Sequence, residues 1–297
     1  MILIPERKRE THKGTYGHLF IVGGSPGLTG AVCLASLGAL RAGCGLVTAG
    51  VPEGLNSIFE VKLTEAMSRP LPESPRHVLS PSAVTPCLEF LASRADGLVI
   101  GPGISTYPET AEFFRQFFFA VDKPSLVDAD GLKLLALHKK LLKGLKFPAI
   151  ITPHPGEMSA LCGISISEIQ RNREKTAKSF SEEYNVIVVL KGYQTVVTDG
   201  RRVYINPTGN PGMATGGTGD VLSGVIGGLL VQGIAPYESA VLGTYIHGLA
   251  GDLAARKYTE YSLIASDIIE FIPEAFKRTM KTGLQDTGKR RTKGEPI

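Results

Sequence analysis

The sequence predicts an α/β fold, a mostly parallel sheet with helices on both faces. Short apolar runs of strand length alternate with longer stretches of helical periodicity. Four of the apolar runs end in turns punctuated by glycine or proline, as strands do where they leave a parallel sheet. The composition, 43% hydrophobic and 20% charged over 297 residues, is that of a globular chain able to bury a large core without staples.

Leu19–Val22 reads as a buried strand running into Gly23-Gly24-Ser25-Pro26-Gly27. Gly30–Ala42 follows as a helix, with Leu34, Leu37 and Leu40 at helical spacing and Gly43 beyond them. Leu46–Ala49 is a second strand, and Pro70 to Pro86, with five prolines, reads mostly as loop. Gly97–Ile100 ends in Gly101-Pro102-Gly103, Ser125–Asp128 in Asp128-Ala129-Asp130-Gly131, and Ala149–Thr152 in Pro153-His154-Pro155-Gly156-Glu157. Helical patterns lie around Glu109–Phe119, Leu132–His138 and Ser167–Tyr184. Val186–Leu190 is branched and apolar, as a central strand is. Thr195–Thr198 and Val203–Ile205 flank the hairpin turn Asp199-Gly200-Arg201-Arg202. Further helices are expected at Thr218–Gln232, after Pro236 and over Ser266–Lys277. With no internal repeat and no splitting linker, the expectation is one domain over 1–280 and a basic, disordered tail over 281–297.

The net charge of +4 is concentrated in that tail, where five cations against two acids leave +3 and the body only +1. A body so nearly neutral argues against a nucleic-acid surface. Cys33, Cys44, Cys87 and Cys162 form no C-x-x-C pair and no zinc-type cluster, so no protein metal site is expected and the thiols read as reduced. Neither a signal peptide nor an apolar run of spanning length is present, which predicts a soluble, cytoplasmic protein without a membrane partner.

The strongest chemical signal is Asn210-Pro211-Gly212-Met213-Ala214-Thr215-Gly216-Gly217-Thr218-Gly219-Asp220, followed by the apolar helix Val221–Leu230. Glycines before a helix let backbone N–H groups converge on an anion, and the helix dipole adds positive potential. Gly217, Thr218 and Gly219 are the candidate anion hole, with Asp220 a carboxylate in the first turn. The plain alternative is a helix-capping aspartate after a tight turn. No Walker A sequence occurs, and Gly23–Gly30 lacks dinucleotide-fingerprint spacing; there a simple turn and a ligand-contacting loop remain equally open. Gly30-Ala31 at the helix start would let a flat ring approach the backbone.

Lys191-Gly192-Tyr193-Gln194-Thr195 places a cation and a flexible glycine at a strand end, suited to a nucleotide phosphate or ribose; an exposed turn lysine is the alternative. His154, between two prolines, is held for hydrogen bonding or proton relay, unless it is simply a surface histidine. Asp128 and Asp130 could hold Mg²⁺ through water, but capping of the next helix is preferred. His12, His18, His77, His138 and His247 have weaker contexts and are assigned no role.

In order, Lys13-Gly14-Thr15-Tyr16-Gly17, Gly101-Pro102-Gly103, Val127 to Leu132, Thr152 to Glu157, Leu190-Lys191-Gly192 and Asn210 to Gly224 resemble the carbohydrate-kinase-related family of NAD(P)H-hydrate dehydratases. The resemblance spans roughly Lys13 to Phe276, nearly the whole chain, and the Gly-rich stretch ending in Asp220 is its most specific part. It implies a ribokinase-like three-layer αβα sandwich. It also implies repair of hydrated nicotinamide nucleotides, with Asp220 catalytic. The segment Asn210–Gly217 resembles the branch that uses ADP and releases AMP and phosphate. Lys191, Gly192, Tyr193, Gln194, Thr195 and Gly219 then match nucleotide-binding positions, and Ala31, Gly103, His154 and Asp220 match positions lining the hydrate. Mg²⁺ with ADP, a homotetramer and a separately encoded epimerase partner are further implications. A small-molecule kinase on the same fold, such as a hydroxyethylthiazole or hydroxymethylpyrimidine kinase, is the competing expectation. A catalytically silent nucleotide sensor is another.

Overall fold

The strand β1 (His18–Val22) is buried at every position, and its side chains divide by parity. Leu19 and Ile21 join one apolar cluster and Phe20 and Val22 the other. Period-two alternation with both faces apolar is what a strand covered by two helical layers requires. The computed structural model describes residues 4, 6–147 and 149–282. Among these, nine strands form one sheet in the order β3-β2-β1-β4-β5-β6-β7-β8-β9. Beside β1 these are β2 (Leu46–Pro52), β3 (Met67–Leu71), β4 (Gly97–Ile100), β5 (Ser125–Val127), β6 (Ile150–Ile151), β7 (Ile187–Leu190), β8 (Val196–Thr198) and β9 (Val203–Ile205). The first seven are parallel; β8 and β9 are antiparallel, joined at the expected Asp199–Arg202 turn.

One layer holds α1 (Thr29–Arg41), α2 (Asn56–Lys62), α9 (Thr218–Leu230), α10 (Pro236–Tyr258) and α11 (Ala265–Thr282). The other holds α3 (Val84–Ser93), α4 (Pro108–Phe118), α5 (Asp130–His138), α6 (Pro155–Cys162), α7 (Ile166–Arg171) and α8 (Arg173–Tyr184). Phe113, Phe114, Phe117 and Phe118 of α4 are all buried, anchoring that layer. Among the described residues no helix is long and apolar enough to cross a membrane.

The structure departs from the sequence expectations in identifiable places. The proline-rich stretch is less loop than expected: Pro70 lies in β3, and Pro86 lies in the first turn of α3. An edge strand has no outer neighbour to bond, and a first helical turn has no intrahelical acceptor for its N–H, so proline is tolerated in both. The single helix expected over Ser167–Tyr184 breaks at Asn172 into α7 and α8. Helix α2 carried too short an apolar pattern to be read. The helix expected over Ser266–Lys277 extends to Thr282, and the rest of the predicted tail, 283–297, lies outside the described residues.

Helices α1 and α9 meet at backbone distance. A Cβ on Gly224 would collide with the Ala35 carbonyl, and one on Gly228 would come within 2.7 Å of the Ala39 carbonyl oxygen. Gly224→Ala is therefore expected to cost about 1–3 kcal/mol, despite alanine's better helix propensity, because α1 must back away. Urea denaturation checks this; an unchanged midpoint would show that the helices can separate freely.

Candidate active site

Strand β1 pairs with both β2 and β4, so the chain reverses its direction of winding there. In open parallel sheets such a switch point leaves a crevice beyond the carboxyl ends of the strands. Two of the expected residues line it together. Gly24 N donates to the Pro102 carbonyl (3.0 Å) and Ser25 Oγ to the Gly103 carbonyl (2.8 Å), fastening the loops after β1 and β4. A Cβ on Gly103 would stand 3.3 Å from the Ala31 Cβ at the start of α1.

The registers Val127↔Ile151 and Ile151↔Val188 align the neighbouring strand ends, so Asp128, His154 and Lys191 share the same rim. Asp128 is not the helix cap that the sequence suggested. It is 1% exposed; Lys191 Nζ lies 2.8 Å from its Oδ1, and Ser223 Oγ donates to its Oδ2 at 2.5 Å. The residue at the cap position is Ala129, with no side-chain bond, while Asp130 Oδ2 accepts from Ser105 N (3.2 Å). A buried carboxylate and a part-buried ammonium each need the other to offset lost hydration, and this pairing outweighs capping. Burial opposes charge on both, yet Lys191 and Ser223 hold the Asp128 carboxyl below its ordinary range, and Asp128 and Glu157 hold Lys191 protonated. Lys191 is accordingly no exposed turn lysine: its ammonium also sits 3.8 Å from Glu157 Oε2.

The anion tip forms where the glycines allow it. Gly217, at φ 90°, caps α9 from the left-handed region, and a side chain there would also strike Leu34 Cδ1 at 2.5 Å. Thr218 Oγ1 donates to the carbonyls of Met213 (3.0 Å) and Thr215 (3.1 Å), closing the preceding turn. A Cβ on Gly219 would lie 3.3 Å from Lys191 Nζ, so the cation adjoins the turn that carries Asp220. Asp220 is half-buried and, among the described residues, its carboxylate forms no side-chain hydrogen bond or ion pair. Burial and the neighbouring Asp128, Asp130 and Glu157 carboxylates push its carboxyl up to about 7, against the pull of Lys191. A capping aspartate would be hydrogen-bonded; this one is free to take a proton.

His154 does cap a helix. Its Nδ1 accepts from Gly156 N (3.0 Å) and Glu157 N (3.2 Å), while Glu157 Oε2 accepts from His154 N (2.7 Å). That fixes the proton on Nε2, which lies at the rim 3.5 Å from Glu157 Oε1. Burial, then Lys191, keeps the ring neutral by lowering its pKa. Glu157 itself is pushed up to about 7 by burial, which outweighs Lys191.

Residues 191–195 form a turn beyond β7, with Thr195 Oγ1 donating to the Gly192 carbonyl (2.9 Å), Gln194 at φ 53° and Tyr193 88% exposed. Arg173, unmarked in the sequence, donates from Nη2 to the carbonyls of Leu190 (2.8 Å) and Lys191 (3.2 Å) and so pins this turn. Ser223, Glu157 and Arg173 escaped sequence reading because their roles arise from partners 95, 34 and 17 residues distant. Only Glu157, three residues after His154, carried a local signal, the capping box.

Among the described residues no group of three or more His, Cys, Asp and Glu side chains could hold a metal ion. Asp128, Asp130 and Glu157 are already engaged, leaving one free carboxylate at the rim. A divalent ion at this rim would find Asp220 as the carboxylate not already bonded to another side chain.

A mostly parallel sheet with helices on both faces, a glycine-lined helix tip and a part-buried lysine on its carboxyl rim places the chain among proteins of ribokinase-like α/β fold. The hydroxyethylthiazole kinase of Pyrococcus horikoshii shares that fold at TM-score 0.62 and 15% identity, covering 91% of this chain and 92% of its own. The chain belongs to the NAD(P)H-hydrate dehydratase family, whose sequence pattern matches residues 19–274. It is 33% identical to the ADP-dependent (S)-NAD(P)H-hydrate dehydratase of Bacillus subtilis over 93% of this chain and 94% of that one. A crystal structure of the ADP/ATP-dependent NAD(P)H-hydrate dehydratase from B. subtilis, co-crystallized with ATP/Mg²⁺, superposes at TM-score 0.80 and 30% identity, covering 93% and 94% of the two chains. The bifunctional NAD(P)H-hydrate repair enzyme Nnr of Moorella thermoacetica is 48% identical over 91% of this chain, which spans 51% of that enzyme. The chain thus spans about half the length of several curated relatives that it matches.

Proposed function

We propose that the protein dehydrates (S)-NAD(P)H hydrate to NADH or NADPH, consuming ADP and releasing AMP and phosphate. The observation that carries this reading is Asp220: a half-buried carboxylate without a partner, in the first turn of a helix whose tip is built of glycine. The kinship with the B. subtilis dehydratase supports it over the kinase alternative.

Hydroxide leaves poorly, so the C6 hydroxyl is first converted to a phosphate ester. Asp220 takes the hydroxyl proton as that oxygen attacks the terminal phosphorus of ADP, and AMP departs. The N–H groups of Gly217, Thr218 and Gly219 stabilise charge on the transferring group. The ring nitrogen's lone pair then expels phosphate, and loss of a proton from the neighbouring carbon restores the dihydronicotinamide. Mg²⁺ bound to the nucleotide would offset charge on its phosphates. Ala31, Gly103 and the His154 Nε2–H would orient the hydrate, and the pinned turn Lys191–Thr195, with Gly219, the nucleotide. The reading extends to a homotetramer, a cytoplasmic setting and pairing with a separate epimerase; the M. thermoacetica relative is a bifunctional NAD(P)H-hydrate repair enzyme.

Supplying the hydrate with ADP should regenerate the dihydronicotinamide absorbance with AMP and phosphate in equal amounts. A stable phosphorylated alcohol would point to the kinase, and ADP binding without turnover to the sensor.

If Asp220 must be ionised, kcat/KM should fall below pH about 7, approaching tenfold per pH unit. Glu157, also near 7, titrates with it. Glu157→Gln removes a neighbouring negative charge and should move the acid limb to lower pH; a limb that stays put would remove Glu157 from the site's electrostatics.

A further inference from the structure

We propose that His247 is a positioning residue that holds and polarises the peptide between Thr218 and Gly219. This rests on the reading above, in which that peptide faces the transferring phosphate. His247 lies on α10, is 7% exposed, and its Nε2 is 2.9 Å from the Thr218 carbonyl oxygen. A carbonyl only accepts, so the ring is the Nε2–H tautomer. The bonded carbonyl and the Gly219 N–H belong to one peptide unit. Donation to the oxygen strengthens the N–H as a donor on the opposite side, toward the anion.

The rest of α10 is shaped for the same purpose. Asp252 Oδ2 accepts from Gly209 N and its Oδ1 from Asn210 Nδ2, both at 3.0 Å, and Thr208 Oγ1 donates to the Tyr245 carbonyl at 3.0 Å. Where the loop crosses, α10 carries glycine: a Cβ on Gly248 would collide with Thr208, and one on Gly251 with Met213. The helix is thus a platform on which residues 206–218 are laid, and His247 is its contact with the catalytic turn. Burial, the dominant influence, takes the ring's pKa down to about 4, so the donor keeps one protonation state at every working pH.

The test compares His247→Phe, which keeps a ring but no donor, with His247→Gln, which restores an N–H. Turnover of the hydrate with ADP and calorimetric ADP affinity are measured on both, with melting temperature recorded. One net hydrogen bond corresponds to about tenfold. His247→Phe should lose about tenfold in kcat with KM for the hydrate within about twofold, and His247→Gln should recover most of the loss. Equal kcat in all three proteins, or equal losses in both variants, overturns the proposal. If the unaltered chain converts no hydrate, the functional reading fails instead. ADP affinity then decides for His247: about tenfold weaker in the Phe variant and restored in the Gln variant supports it, and unchanged affinity overturns it.

Discussion

Asp220→Asn is expected to lower turnover by at least about a hundredfold while ADP affinity changes little, since general-base catalysis contributes ~10²–10⁴-fold. The amide keeps size and polarity but cannot accept the hydroxyl proton. The same substitution should stabilise the resting protein in a pH-dependent way, because burial pushes this carboxyl up to about 7 from 3.8. A raised acid pKa means that ionisation is unfavourable in the folded state. The cost is absent below pH about 4, grows as pH rises through the interval, and is complete above about 7. Melting curves should therefore show Asp220→Asn equal to the unaltered protein at pH 4 and higher at pH 8. Near-normal turnover would remove Asp220 from catalysis. Unchanged melting at pH 8 would remove the buried-charge argument.

Asp128→Ala should be the most destabilising single change at the rim. It strips the partner from a lysine whose side chain is only 19% exposed and removes an acceptor from the buried Ser223 hydroxyl. Breaking a buried ion pair from one side costs about 3–5 kcal/mol, largely because the surviving charge is left poorly solvated. Glu157, 3.8 Å from Lys191, should bring the cost toward the lower end. In Asp128→Ala/Lys191→Met neither charge remains, and most of the stability should return. Denaturant midpoints of both singles and the double give the coupling directly. A double variant no more stable than Asp128→Ala would mean that the pair contributes nothing beyond its packing.

Much of this molecule is legible locally. Strand β1 is apolar at four consecutive positions, Leu19 to Val22, and any strand buried on both faces must be. The tip of α9 is legible because Gly216, Gly217 and Gly219 are compressed into four residues before a single acid. The hairpin turn at Asp199 is legible because Oδ1 of that side chain accepts from both Arg201 N and Arg202 N. What misled were segments whose structure is settled by neighbours. Pro70 looked like loop until β2 offered it an edge, and Asp128 looked like a cap until β7 delivered Lys191.

Local pattern therefore defined the layered architecture, the parallel strands and the acid at a glycine-lined helix tip, since each depends on residues near one another in the chain. The three-dimensional arrangement assigned charge and support: Lys191 and Ser223 to Asp128, Arg173 to the turn after β7, and His247 to the Thr218 carbonyl. Those pairings join residues far apart in sequence. Their strength comes from burial, and burial is a property of the packed molecule that no short stretch of residues carries.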